Sequence, residues 1–199
     1  FREVLGDDPK LIGMQELIVN RPRRPFSTYI FDELLVDIAN GLRRQPEDLG
    51  LLVDGVTLYH LIIEGALALA GQKRILENYK QLDLFPGFQK GFTDVARDES
   101  RHVLFGVRFL HDMVQSDDRF AYRIVNFINQ ILPSLYESAR PEPDMLAYML
   151  QAGQDIDWRQ KFYANSFRRK LRAVGIQANI PDPQPTPIPA ELMAAVAAH

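Results

Sequence analysis

An all-α fold built from long helices is predicted by three features of the sequence. No segment shows the strict apolar–polar alternation of a strand. Apolar residues instead recur near a 3.6-residue period, as in Ile30, Leu34, Ile38 and Leu42. Turn-forming residues fall in discrete clusters around Pro46, Pro86-Gly87, Asp117-Asp118 and Pro141 to Pro143, and these clusters cut the chain into helix-length pieces. With 199 residues and no internal repeat, the chain is long enough for one domain with a sizeable core.

Taken in order, residues 1–26 are short and broken, with a brief helix expected over Leu11 to Val19. Arg21, Arg23 and Arg24 follow as a solvated basic loop. Ser27 is positioned to cap a first long helix, Thr28 to Arg44. Pro46, Glu47 and Asp48 suit the first turn of the next helix. Its stretch from Leu51 to Ala70 is apolar on nearly every side, and the helix is expected to run on through Lys80. A membrane span would have that length, but Asp54, His60 and Glu64 each cost several kcal/mol at membrane depth. A central helix of a soluble bundle is the better reading, with no membrane span. A turn over Leu82 to Gly87 leads to a third helix, Gln89 to Val114.

Ser116-Asp117-Asp118 caps a fourth, from Arg119 to about Leu132, with Pro133 as a kink or stop before Ala139. A fifth helical stretch, Asp144 to Val174, should break near Gly153. It ends in Arg168, Arg169, Lys170 and Arg172, a distribution that suits a helix C-terminus. Residues 1–179 thus form the helical domain, and 180–199 a Pro-rich extended tail ending in an alanine-rich segment.

Composition removes several function classes. A net charge of −3 gives no electrostatic case for nucleic acid. The absence of cysteine excludes disulfides, thiolate metal sites and cysteine nucleophiles, and fits a cytoplasmic protein.

The chemistry-bearing residues lie on the two central helices. In the third, Glu99 and His102 are three apart on a face otherwise made of Val95, Val103, Gly106, Phe109 and Leu110. A carboxylate and an imidazole on a core face need a partner, either a metal or each other. Glu64 is the only acidic residue between Val56 and Ala70. Glu64 and Glu99 lie 35 positions apart, with the midpoint in the turn region, at residues 81–82. Antiparallel helices joined there carry both carboxylates at the same height, about 26 Å from the turn. Carboxylates that close need a cation or protons between them. In ferritin-like carboxylate proteins two helices each supply a Glu and two others each supply Glu-x-x-His around a pair of metals. Glu64 with Glu99 and His102 is half of that pattern, and its oxygen-rich donor set suits iron or manganese.

Tyr59-His60-Leu61-Ile62-Ile63-Glu64-Gly65, with Arg97-Asp98-Glu99-Ser100-Arg101-His102 and Phe105-Gly106, resembles the small, radical-bearing subunit of class I ribonucleotide reductase. It resembles still more the ligand-binding oxidases related to that subunit, over roughly residues 25–135. The resemblance implies a ferritin-like bundle, of which this chain would hold the second half. It implies a manganese–iron or di-iron centre with Glu64, Glu99 and His102 as ligands, and Asp98 hydrogen-bonded to a metal-bound histidine from outside. It also implies dioxygen as co-substrate, a long apolar ligand such as a fatty acid, and a homodimer.

Tyr59 takes the place of a tyrosine that these oxidases join to a valine through an ether crosslink. On an α-helix, however, five residues carry it about 140° away from Glu64, so the residues alone favour a core tyrosine.

The first half of the pattern is absent, since Glu99–His102 is the one Glu-x-x-His spacing in the chain. With Phe1 in place of Met, the expectation is a C-terminal portion of a longer protein, the crosslink valine included in the remainder. Two other functions stay open. One is a ribonucleotide reductase small subunit, against which stands the lack of Tyr or Trp after Tyr163 to carry a radical toward the C-terminus. The other is a non-enzymatic helical bundle whose Glu64, Glu99 and His102 form a plain buried network.

Overall fold

A computed structural model describes residues 24–197. The brief helix expected over Leu11 to Val19, along with Arg21 and Arg23, lies outside the described residues.

The described chain forms seven helices and no strand. Helix α1 covers residues 25–44, α2 Leu49–Gln81, α3 Pro86–Ser116, α4 Arg119–Ala139, α5 Pro143–Gln151, α6 Trp158–Val174 and α7 Ala190–Ala197. This is the all-α bundle of long helices expected from the sequence.

Helix α2 is central. Its first turns meet α1 and α4, and its middle packs against α3 and α6. Asp48 caps it by accepting the Leu51 N–H at 2.9 Å. Pro46 therefore sits in the preceding turn instead of inside the helix. By length and composition α2 could cross a membrane, yet 44% of its apolar window is buried inside the chain. Val53, Leu58, Leu61, Ile62 and Ala66 form the middle of the core with Leu110, Ile124, Ile128 and Phe167. Arg123 of α4 grips Asp54 of α2 with two hydrogen bonds, of 2.8 and 2.7 Å.

Both α1 and α2 contain π-helical turns, over Thr28–Leu34 and Thr57–Ala68, which the 3.6-residue reading did not anticipate. Ser27 caps nothing, because α1 already begins at Pro25 and Ser27 lies within it. Pro86 likewise opens α3 three residues early, as a first-turn proline can. Just before it, Asp83 and Phe85 take left-handed φ angles of 51° and 53° to reverse the chain. Pro133 neither stops nor ends α4. The carbonyl it leaves without a donor belongs to exposed Asn129, open to solvent.

The break between α5 and α6 falls at Gly153, whose φ of +62° a side chain would resist. Gly175, at φ +92°, closes α6. Residues 176–189 then run extended along the bundle. Ile176, Ile180 and Thr186 are buried, Tyr136 donates to the Pro181 carbonyl at 2.9 Å, and Arg168 donates to the Ile180 carbonyl at 2.6 Å.

Candidate metal centre

The α2–α3 hairpin brings Glu64, Glu99 and His102 together. One donor atom from each lies within 4.8 Å of the others. Glu64 is on the π-helical part of α2 and only 6% exposed. His102 Nδ1 is 3.5 Å from Glu64 Oε1 and 3.6 Å from Glu99 Oε2. The equal-height argument across the turn therefore corresponds to a real convergence of side chains. The site is graded in burial: the Glu99 side chain is 28% exposed and that of His102 59%. On the α3 side it opens outward.

A fourth residue belongs to the cluster and was not singled out from sequence. His60 Nδ1 is 2.8 Å from Glu64 Oε2, so the two Glu64 oxygens face different partners. Oε2 is held by His60 while Oε1 faces His102. The i,i+4 spacing of His60 and Glu64 was visible, but nothing in it marked the pair as more than neighbours. The His60 ring sits edge-on to Tyr59 at 5.1 Å and to Phe105 at 5.7 Å. A Cβ at Gly106 would come within 2.2 Å of the His60 Cβ, so α3 approaches this closely only because residue 106 is glycine.

Tyr59 is 44% exposed and lies beside the carboxylates. Glu64 most of all, then burial and Glu99, push its phenol above the ordinary value. The α-helical angle that separated Tyr59 from Glu64 does not apply here. With i→i+5 bonding, residues five apart come close to superposition along the helix.

Asp98 is placed elsewhere. Its carboxylate accepts from Arg101 Nη1 at 2.7 Å on the exposed side of α3, away from His102. Behind the site, Lys170 does not take the exposed C-terminal role expected of the basic run. It donates to the Gly65 carbonyl at 2.6 Å and contacts Ser166, and burial pushes it down to about 8.

The donor set fits a divalent first-row ion: two carboxylates and one imidazole converge, with the innermost carboxylate nearly sealed from water. Three side chains, however, cannot enclose two ions.

No protein-family model and no curated sequence matches the chain. Solved structures of R2-like ligand-binding oxidase variants do match its fold. One with an anaerobically reconstituted Mn/Fe cofactor superposes with a TM-score of 0.69 at 24% identity. A second, with an aerobically reconstituted Mn/Fe cofactor, gives 0.68 at 24% identity. A third, holding a non-activated Mn/Mn cofactor, gives 0.69, also at 24% identity. Each superposition covers 88% of this chain and 59% of the other, so the chain spans about three fifths of those proteins' length. In fold, the chain is similar to the R2-like ligand-binding oxidases.

Proposed function

We propose that this chain supplies one half of the di-metal centre of an oxygen-activating, manganese/iron or di-iron ligand-binding oxidase. The observation that carries the reading is the convergence of Glu64, Glu99 and His102 donors within 4.8 Å around a nearly buried carboxylate. The similarity in fold to oxidases holding Mn/Fe cofactors supports it.

Glu64 through Oε1, Glu99, and His102 through Nδ1 would hold the metal. His60 keeps Glu64 Oε2 occupied and leaves Oε1 facing His102, which would orient that oxygen toward the ion. A bound Mn/Fe or Fe/Fe pair would supply the electrons for reducing dioxygen. The remaining ligands would come from beyond residues 24–197, in the same polypeptide or in a second copy. Tyr59, close enough to Glu64 for the carboxylate to raise its phenol, would be the residue to be modified or to move a proton at the edge of the site. Val95, Tyr59 and Phe105 are all exposed, three to five residues along the helices from the metal-binding side chains. They would offer the apolar surface for a long-chain ligand such as a fatty acid. Asp98 would reach a metal-bound histidine only from a ligand set outside this chain's own three. The reading implies a soluble, cytoplasmic homodimer, in which residues 180–199 form a Pro-rich segment attached to the helical domain.

The deciding experiment is elemental analysis of the full-length protein expressed with both metals available. Stoichiometric manganese or iron is expected. Protein containing neither would sink the oxidase reading and leave a plain Glu/His network.

A further inference from the structure

Helix α6 packs against the π-helical stretch of α2, and two of its side chains attend to a single backbone atom. Ser166 Oγ donates to the Gly65 carbonyl at 2.7 Å, and Lys170 Nζ donates to the same oxygen at 2.6 Å. Lys170 and Ser166 also contact each other. In an α-helix the donor to Gly65 O would be the Leu69 N–H. Here that N–H goes to Glu64 O and Ala66 O, passing Gly65 O on either side.

The carbonyl that the π register leaves without its α-helical donor is the one the two α6 side chains take. The fit requires residue 65 to be glycine. A Cβ there would sit 2.5 Å from Lys170 Cε and 2.7 Å from the His60 carbonyl oxygen. Ser166 is 1% exposed, and the hydrogen bonds recorded for Lys170 among the described residues go only to Gly65 O and Ser166 Oγ. An apolar side chain would cost less in that position, since burying an ammonium without a carboxylate is expensive. What the lysine contributes is the bond.

We propose that Ser166 and Lys170 are positioning residues for the candidate metal centre. By holding Gly65 O they maintain the π register of α2, and so keep the adjacent Glu64 turned toward Glu99 and His102. The inference rests on the metal-binding reading above for its consequence, and on the backbone alone for its mechanism.

The test uses the full chain, isotope-labelled and metal-free, with Ser166→Ala and Lys170→Met made singly. In the variants the Leu69 amide is expected to return to Gly65 O, seen as altered exchange of that amide and a shifted Gly65 carbonyl resonance. Mn2+ affinity, followed by loss of the free-ion EPR signal, should fall at least tenfold. Lys170→Gln, which keeps an N–H donor, should recover affinity to within threefold of the parent. Leu171→Ala, a packing change at a fully buried neighbour, should lower the melting temperature without moving either resonance. Unchanged Leu69 and Gly65 signals in both variants would overturn the proposal. Full-length parent protein that binds no Mn2+ would overturn the metal reading instead; the resonances, read without metal, decide the register claim in either case.

Discussion

The two sides of the π-helical stretch in α2 make opposite demands on their surroundings. Behind it, Ser166 is buried and Lys170 half-buried, and both donate to Gly65 O while contacting each other. In front of it, Glu64 is buried but His102 is more than half exposed, beside exposed Tyr59 and Phe105. The back side is a finished core that fixes geometry. The front is a set of donors held in place with one flank open. A hydrogen-bonded support behind donors that still have room for an ion is what metal selectivity by geometry requires.

The largest change should come from Glu64→Ala, which removes the buried carboxylate at the centre of the front side. Affinity for Mn2+ is expected to drop by about a hundredfold or more. Thermal stability should shift by only about 1 kcal/mol, since lost packing and lost carboxylate burial oppose each other. Calorimetric titration and thermal unfolding read the two effects separately. Retained Mn2+ affinity would remove Glu64 from the site.

Gly106→Ala tests whether the front is as tightly built as the back. The new methyl would meet the His60 Cβ at 2.2 Å, so either α3 moves off or His60 leaves Glu64. A loss of about 1–3 kcal/mol in unfolding free energy is expected, together with weaker metal binding. A variant as stable as the parent would show that the helices can separate at no cost.

The back side should reveal itself through pH. Burial holds Lys170 at about 8, below the roughly 10.4 of an unfolded lysine. Below pH 8 the folded chain carries a buried ammonium, and the penalty is at its full size. Between about 8 and 10 the unfolded chain binds one more proton than the folded one, so stability rises with pH. The gain from pH 8 to about 9.5 should be up to about 2 kcal/mol, at about 1.4 kcal/mol per pH unit. Denaturant unfolding across that range measures it, and Lys170→Met should flatten the slope.

Helix periodicity, the cap at Asp117 and the break at Gly153 made most of the bundle legible in the sequence, because each depends on local chemistry. The meeting of Glu64 with Glu99 and His102 was legible too, since hairpin symmetry about the turn carries distance information across 35 residues. The π register was not. It depends on a carbonyl claimed by α6, a hundred residues away, and no local pattern announces it. Helix periodicity also missed Tyr59 beside Glu64, which only the family resemblance suggested, and the partial burial of Lys170 within an apparently ordinary basic run.

The smallest effect is expected at Asp98, and it sharpens where the front side ends. Asp98 is paired with Arg101 in solvent, and exposed pairs of this kind contribute about 0–1 kcal/mol. Asp98→Asn should therefore leave the unfolding free energy within about 0.5 kcal/mol of the parent. Mn2+ affinity of this chain should change less than threefold, because the carboxylate does not reach His102. A tenfold loss on the same titration would show that Asp98 leaves Arg101 when metal binds, and that the open flank reorganises around the ion instead of waiting for ligands from elsewhere.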